Sequence, residues 1–170
     1  MPLADVLANP PVVVLDNVCN AENIGSILRT AYCLGVTSVV ASPTAWSALR
    51  DTRAARTSMG TVYFHRMHLA DDMLSTLDQL KSGGLSLYAA EIGPGAVPLR
   101  AHGPDRRWAV VLGNEDRGVS EEIQQRCDAV MMIPQASGDS LNVGHASAIA
   151  LFVLGSQSPL PHHDGGGKCT

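Results

Sequence analysis

The segment that most constrains the fold of this chain lies near its C-terminus, where a buried strand, a polar turn and a strongly apolar helix follow one another. The strand ends at Ile133-Pro134, and Ser140-Leu141-Asn142 opens the helix after a turn rich in Gly, Ser and Asp. Polar side chains at the mouth of a buried helix either cap its free amide groups or face a ligand. The pattern predicts a core helix with a ligand site at its start, with capping alone as the alternative for Ser140 and Asn142.

Two further polar clusters follow other predicted strands. Residues 23–31 come after a short apolar strand near the N-terminus, and residues 112–118 come after a strand near position 110. Open α/β sheets bind ligands at the carboxyl ends of their strands. We therefore predict that the three clusters converge on one ligand site.

In their order and spacing, these clusters resemble the three motifs of the SpoU/TrmH family of RNA ribose 2′-O-methyltransferases, which belong to the knotted SPOUT superfamily. The resemblance runs from about residue 12 to residue 154. It implies a deep trefoil knot, in which the C-terminal segment threads an earlier loop, and S-adenosylmethionine (AdoMet) as the cofactor. It also implies an RNA substrate and a homodimer whose active site lies at the subunit interface.

Short apolar runs alternate with helical patterns, which is typical of an α/β fold. We predict a mostly parallel six-stranded sheet with helices on both faces. The predicted strands are residues 12–15, 38–41, 62–64, 85–90, 108–112 and 129–133, with a loop at 92–105. Residues 1–11 are expected to form an N-terminal extension, residues 12–155 the methyltransferase domain, and residues 156–170 a flexible tail.

The last predicted helix, residues 142–154, is apolar nearly all round, so we expect it to be buried on all sides. In a chain of 170 residues this favours a subunit interface in addition to contact with the sheet. A purely intramolecular core helix is the alternative.

Composition limits the other classes of function. The chain has 170 residues, of which 45% are hydrophobic, as expected for one globular domain. No apolar run approaches the ~20 residues that cross a bilayer, and the first residues lack a signal-peptide pattern, so we expect a cytoplasmic protein without membrane contact. The four cysteines and six histidines lack the spacing of a disulfide framework or a zinc site, so no metal is predicted.

Carried onto this chain, the resemblance assigns cofactor binding to the loops that follow predicted strands four, five and six. The residues implied are Ala90, Leu112, Gly113, Asn114, Ile133, Ser140 and Leu141. The residue types agree with this assignment, because Gly113 allows a close backbone approach and Ile133 and Leu141 offer apolar walls for adenine. A plain turn glycine is the alternative for Gly113.

The resemblance also implies the catalytic set Asn23, Arg29, Glu115, Ser140 and Asn142. Methyl transfer from a sulfonium needs an oxygen nucleophile in line, about 3 Å from the methyl carbon. Because a guanidinium stays protonated in proteins, we expect Arg29 to hold the 3′-phosphate of the target nucleotide, and that phosphate or a water to accept the hydroxyl proton. Asn23 is expected to cap the start of its helix. Glu115 is expected to pair with the arginine or with backbone amides, the alternative being a solvated loop acid.

The formal net charge of −4 is unfavourable for RNA binding. Four nearby arginines, Arg50, Arg53, Arg56 and Arg66, offset it locally. The basic patch Arg50, Arg53 and Arg56, together with Arg29, is predicted to contact RNA, with a solvated charged face as the alternative. Only about eleven residues precede the first predicted strand, which favours tRNA over rRNA as the substrate.

Three other functions compete with a ribose methyltransferase. An inactive RNA-binding or assembly protein of the same fold is the main alternative to the enzyme. An ordinary Rossmann enzyme is disfavoured because no GxGxxG follows the first strand. A base-methylating SPOUT relative is disfavoured because Asn23 and Arg29 match the ribose-modifying branch.

Overall fold

The computed structural model describes residues 1–102, 106–137 and 140–156. The helices are α1 Leu3–Leu7, α2 Ala21–Cys33, α3 Pro43–Leu49, α4 Thr52–Thr57, α5 Met73–Ser82, α6 Glu121–Arg126 and α7 Val143–Gly155, with a 3₁₀ helix at Thr61–Phe64. The strands are β1 Val12–Leu15, β2 Ser38–Ala41, β3 Arg66–Leu69, β4 Ser86–Ala90, β5 Val97–Pro98, β6 Trp108–Leu112 and β7 Ala129–Met132.

The strands form one seven-stranded sheet in the order β3-β2-β1-β6-β4-β7-β5, and every pairing is parallel. The central strands β1 and β6 are buried along their whole length, because their continuous apolar runs are covered on both faces. One core cluster includes Ile24 of α2 and Leu151 of α7. The opposite cluster includes Val6 of α1 and Leu77 of α5. The predicted α/β fold, with helices on both faces of a parallel sheet, is confirmed.

The prediction of six strands is wrong in two places. The apolar run 62–64 lies in the 3₁₀ helix, where Val62 is buried while Tyr63 and Phe64 are 78% and 65% exposed. The third strand is instead β3, which pairs with β2 at the edge of the sheet and is only half-buried. A two-residue strand, β5, lies within the predicted loop 92–105 and pairs with β7. Edge strands tolerate polar residues and short lengths, so their hydrophobic pattern is weak.

The last helix, α7, begins one residue after Asn142, as the sequence predicts. Its inner face packs closely on α2, since a Cβ at Gly144 would lie 3.4 Å from the Ser26 hydroxyl oxygen. The expectation of burial on all sides is wrong for the single chain. Phe152 is 64% and Ile149 is 39% exposed, so one apolar face of α7 is uncovered.

Two predictions concern the chain as a whole. The predicted tail 156–170 lies outside the described residues except for Ser156, which follows α7. Among the described residues, no helix is long and apolar enough to cross a membrane.

Candidate functional site

The carboxyl ends of β6, β4 and β7 lie side by side, because these strands are neighbours in the sheet. Ala90 aligns with Leu112 of β6 and with Met131 of β7. Together with the start of α7, the three strand ends enclose a cavity of about 360 Å³. The cavity lies at the edge of the sheet where the sequence predicts a ligand site.

All seven predicted cofactor-binding residues line this cavity: Ala90, Leu112, Gly113, Asn114, Ile133, Ser140 and Leu141. Of the predicted catalytic residues, Glu115, Ser140 and Asn142 also line it. Apolar side chains of β7 and α7, including Met131 and Ala146, form much of the interior wall. Cavities of this size and mixed character bind small organic ligands.

The loop after β6 is held by its own backbone. Asn114 N donates to Gly118 O at 3.1 Å, and Gly118 N donates to Asn114 O at 2.8 Å. The Asn114 side-chain oxygen accepts from the backbone N–H groups of Asp116 and Arg117, at 3.1 and 3.2 Å. A Cβ at Gly113 would overlap the Gly118 carbonyl group. The structure thus gives Gly113 a steric role inside the loop, besides any approach to a ligand.

Glu91, directly after β4, lies in a loop that is predicted to bind the cofactor, and it lines the cavity although it is not one of the seven predicted binding residues. Its Oε2 accepts from Val119 N at 2.6 Å, and its Oε1 accepts from Ile92 N at 2.8 Å. Gly118 has a φ of +67°, and a Cβ there would overlap the Glu91 carboxylate. Glu91 therefore ties the loop after β4 to the loop after β6. An acid that directly follows a buried strand is the signal that could have identified it.

Glu115 is the centre of a polar network at the mouth of the cavity. Its Oε1 accepts from Asn20 N at 3.0 Å and from Asn23 Nδ2 at 3.1 Å. Its Oε2 accepts from the backbone N and the thiol of Cys19, at 3.2 and 3.3 Å. Asn23 Oδ1 in turn accepts from Asn142 Nδ2 at 3.1 Å. Residues from three distant parts of the sequence are therefore joined in one chain of hydrogen bonds.

The network determines the charge of Glu115 and the direction of the hydrogen bonds around it. Burial would raise the pKa of Glu115, but hydrogen bonds from Asn23 and from the backbone of Cys19 and Asn20 outweigh it and lower that pKa. An ionised carboxylate only accepts hydrogen bonds. The Asn23 amide nitrogen must therefore face Glu115, and its oxygen must face Asn142.

Two asparagines cap the helices at this site. Asn142 Oδ1 accepts from Gly144 N at 2.8 Å, so Asn142 caps α7 and also contacts Asn23. The prediction that Asn23 caps α2 is wrong, because α2 begins earlier and Asn20 caps it. Asn20 Oδ1 accepts from Glu22 N at 2.8 Å and from Asn23 N at 3.1 Å. The Asn23 side chain is thus available for the polar network.

Arg29 is not part of this cavity within one chain. It is exposed on α2 and is not among the residues that line the cavity. It follows Asn23 by six residues, which is roughly 9 Å along a helix axis. Glu115 pairs with backbone amides, one of its two predicted partners, and has no hydrogen bond to Arg29 in the described part of the chain.

The basic patch Arg50, Arg53 and Arg56 lies at the end of α3 and on α4, and all three residues are exposed. Helix α4 is held against α2 at Gly25, where a Cβ would lie 2.7 Å from Ala54 O. Arg53 Nη2 lies 2.8 Å from Asp51 Oδ2, and this hydrogen bond lowers the pKa of Asp51 to about 2. Part of the positive charge of the patch is therefore neutralised locally.

No metal site accompanies the cavity. The residues that the structure describes contain no group of three or more His, Cys, Asp or Glu side chains placed to hold an ion.

Comparison with known proteins gives a consistent family. The model of the SpoU rRNA methylase family matches residues 10–152. A protein of Archaeoglobus fulgidus named as an uncharacterized tRNA/rRNA methyltransferase is 33% identical over 147 residues, which cover 86% of this chain and 64% of that protein. The chain thus spans less than two thirds of the length of this relative.

Solved structures with the same fold include three methyltransferases or RNA-modifying enzymes. The A. aeolicus TrmH/SpoU tRNA modifying enzyme has a TM-score of 0.77 at 26% identity, with 91% of this chain and 80% of that chain covered. The AdoMet-bound rRNA methyltransferase from Sinorhizobium meliloti has a TM-score of 0.76 at 26% identity, covering 92% and 60%. An RNA 2′-O ribose methyltransferase has a TM-score of 0.75 at 25% identity, covering 88% and 57%.

Proposed function

Because the chain belongs to the SpoU rRNA methylase family, we propose that it is an AdoMet-dependent RNA methyltransferase that modifies a ribose 2′-hydroxyl. The observation that carries this proposal is the hydrogen-bond chain from Glu115 through Asn23 to Asn142 at the mouth of the 360 Å³ cavity. The similarity to an RNA 2′-O ribose methyltransferase supports the choice of a ribose hydroxyl over a base.

The residues of the cavity fit AdoMet. Leu112, Ile133 and Leu141 offer apolar walls for adenine, and the loop 113–118 lines the same cavity. When bound, the cofactor supplies an electrophilic methyl group on a sulfonium. The similar S. meliloti enzyme was solved with AdoMet, which supports this assignment.

The chain's own residues would orient the acceptor hydroxyl. A ribose 2′-hydroxyl is a weak nucleophile, so its position and the fate of its proton limit the rate. The amides of Asn23 and Asn142 are fixed by Glu115 and by each other. Ser140, exposed on the rim of the same cavity, adds a hydroxyl group that can donate to or accept from the sugar.

We propose that the active enzyme is a homodimer. In one chain, helix α7 packs on α2 at Gly144, and its uncovered apolar face includes Phe152, which is 64% exposed. Pairing of two copies across this face would bury Phe152 and Ile149, which favours association. Arg29, exposed on α2, would then reach the active site of the second copy, where it would hold the 3′-phosphate of the target nucleotide.

The RNA is proposed to lie along α4. It is proposed to be a tRNA, with rRNA as the second choice, and the enzyme is proposed to act in the cytoplasm. Arg50, Arg53 and Arg56 supply positive charge on α3 and α4, beside the start of α2. A tRNA modifying enzyme and an rRNA methyltransferase are both among the similar structures, which supports an RNA substrate. The predicted trefoil knot around the cofactor site belongs to this proposal as well.

The test is methyl transfer to RNA. Tritiated AdoMet is incubated with the protein and with total tRNA or rRNA from cells that lack it, and the labelled nucleotide is mapped. A label in an alkali-resistant dinucleotide identifies a ribose 2′-O-methyl group and supports the proposal. Label in a base would refute the 2′-O assignment, and cofactor binding without transfer to either RNA would favour the inactive RNA-binding alternative.

A further inference from the structure

Three large apolar side chains are exposed in the segment between α4 and β3. Met59, Tyr63 and Phe64 are 72%, 78% and 65% exposed, and we call them together the apolar platform. None of them lines the 360 Å³ cavity, and none lies on α7. Exposed apolar surface concentrated in so short a segment is typical of a binding site. The proposed function leaves the platform without a role.

The local backbone turns the platform toward solvent. Met59 and Gly60 have left-handed φ values of +54° and +81°, and they reverse the chain after α4. Such a conformation is strained for a non-glycine residue, and strain of this kind recurs at functional sites. In the 3₁₀ helix that follows, successive side chains lie a third of a turn apart. Val62 is buried in the core, so Tyr63 and Phe64 are left to face outward.

The platform is also fixed to α2. The ring of Phe64 lies 5.7 Å from the ring of Tyr32, at an angle of 37°. Tyr32 in turn meets the edge of His65 at 6.1 Å, and His65 Nε2 donates to Leu28 O at 3.0 Å. Because these contacts hold the 3₁₀ helix in place, a ligand finds the platform already formed and loses less affinity to the ordering of side chains.

The platform lies in a stretch of positive charge. Between Asp51 and Asp71 the chain has no acidic residue and three arginines, although its net charge is −4. One of them, Arg56, is exposed in the last turn of α4, and its backbone O accepts from Met59 N at 3.1 Å. Arg53 pairs with Asp51, whereas Arg56 has no ion pair with any residue that the structure describes. A guanidinium is therefore available directly beside the platform.

This combination selects the class of ligand. Single-stranded nucleic acid binds where bases stack on exposed aromatic rings and cations hold the phosphates. A second copy of the chain fits less well, because a two-fold interface here would bring the arginines of both copies together. We infer that the platform stacks unpaired bases of the RNA substrate on Tyr63 and Phe64, with Arg56 on a neighbouring phosphate. The inference rests on the proposed function for RNA as the ligand, and it narrows the substrate to RNA with an unpaired segment.

Fluorescence anisotropy with two RNA probes tests the inference without methyl transfer. The probes are a short fluorescein-labelled single strand and the same strand annealed to its complement, whose bases are hidden. Tyr63→Leu keeps an apolar side chain but removes the ring, so it should weaken binding of the single strand about 5- to 100-fold and leave duplex binding unchanged. Tyr63→Phe is the matched control, since it keeps the ring and should bind both probes as the wild type does.

The opposite results would overturn the inference. They are no binding of the single strand by the wild type, unchanged single-strand affinity in Tyr63→Leu, an equal loss on both probes, or an equal loss in Tyr63→Phe.

The salt dependence of single-strand binding separates the ring from the cation. Arg56→Gln should reduce the slope of log affinity against log salt by about 0.7, because one phosphate contact is lost. Tyr63→Leu should leave this slope unchanged, because stacking neutralises no charge. An unchanged slope in Arg56→Gln, or an equal decrease in both variants, would refute the roles assigned to these two side chains.

Two measurements on the same samples distinguish this inference from the proposed function. In calorimetric titration, AdoMet should bind Tyr63→Leu and the wild type equally, since Tyr63 does not line the 360 Å³ cavity. In light scattering, Tyr63→Leu should keep the mass of the wild type, and a lower mass would identify the platform as a subunit interface and overturn the inference. If AdoMet fails to bind the wild type, the methyltransferase proposal falls, and the RNA titration still decides the platform.

Discussion

Glu115→Gln is the substitution that probes the site most directly, because it changes one charge and almost no volume. The carboxylate accepts hydrogen bonds from Asn20 N and Asn23 Nδ2 on one oxygen and from the backbone N and thiol of Cys19 on the other. A glutamine keeps one oxygen and replaces the other with a donor. The two donors that face the new amide nitrogen then lose their acceptor.

The size of the effect follows from these contacts. We expect the glutamine to keep its oxygen toward Asn20 and Asn23 and to lose the two longer bonds to Cys19. Since the site is partly exposed, the loss should destabilise the fold by about 1–2 kcal/mol. In a domain of this size that lowers the melting temperature by about 3–6 °C. Weaker orientation of Asn23 should reduce methyl transfer more, by about 10²-fold.

The difference in stability should depend on pH in one direction. The pKa of Glu115 is lowered in the folded state, from an ordinary value of 4.5. A lowered pKa gives stability that is present above pH 4.5 and is lost as the pH falls through the folded-state pKa. The gap in unfolding free energy between the wild type and Glu115→Gln should therefore be full at pH 7 and shrink below pH 4.5.

Urea unfolding at several pH values, together with single-turnover methyl transfer at pH 7, checks these expectations. Glu121→Gln is the matched control, since Glu121 is an exposed acid on α6 that does not line the 360 Å³ cavity. The control should change stability by a few tenths of a kcal/mol at most. If Glu115→Gln kept full activity, or if its stability deficit grew toward low pH, the role assigned to this carboxylate would be refuted.

Three further substitutions test other parts of the site. Gly118→Ala should destabilise the fold by about 1–3 kcal/mol in urea unfolding and weaken AdoMet binding, because a Cβ there is strained and would overlap the Glu91 carboxylate. Phe152→Ser should convert the proposed dimer to a monomer in size-exclusion chromatography with light scattering, because the side chain is 64% exposed in one chain and would be buried by pairing. Arg29→Lys should lower methyl transfer about 10²-fold with unchanged AdoMet affinity, because a lysine cannot form the bidentate contact to phosphate.

The substitutions at Gly118 and Phe152 each have a control variant. Gly95→Ala, at a φ of +81° with open space around it, should cost only the backbone strain of about 1 kcal/mol and leave AdoMet binding intact. Tyr63→Ser changes an aromatic side chain of the 3₁₀ helix that is 78% exposed, and it should leave the proposed dimer intact. Equal effects in variant and control, or substantial activity in Arg29→Lys, would contradict the corresponding assignment.

The central strands were predictable from the sequence because they are buried on both faces. β1, β2 and β6 have the predicted bounds, and each is a continuous apolar run. The edge strands were not predictable, since β3 carries Arg66 and His68 and β5 has only two residues. An apolar triplet such as residues 62–64 satisfies a strand pattern equally well, and its contacts with α2, such as that of Phe64 with Tyr32, are not visible in the local pattern.

The candidate site also has a part that the sequence predicts and a part that it does not. Residues directly after strands converge because parallel strands end at one edge of the sheet, which is a property of the chain's local pattern. The role of Glu91 depends on a contact with Val119 across the cavity, and no local pattern specifies that contact. Arg29 does not line the cavity of a single chain. Its proposed role therefore depends on the proposed pairing of two chains, which the sequence of one chain does not specify.

The arrangement of charge is compatible with the proposed RNA substrate, although the net charge of the chain is −4. The acids that follow the strands, Glu91 and Glu115, are engaged by backbone N–H groups, and their charge is therefore partly offset where RNA must approach. The arginines of the basic patch lie instead on α3 and α4, and the close contact at Gly25 fixes α4 against α2. At moderate salt the attraction between an exposed arginine and a phosphate is largely screened beyond about 10 Å. The fixed position of the basic patch therefore matters more for RNA binding than the net charge of the chain. Salt should accordingly weaken RNA binding while AdoMet affinity changes little, because only the former depends on that patch.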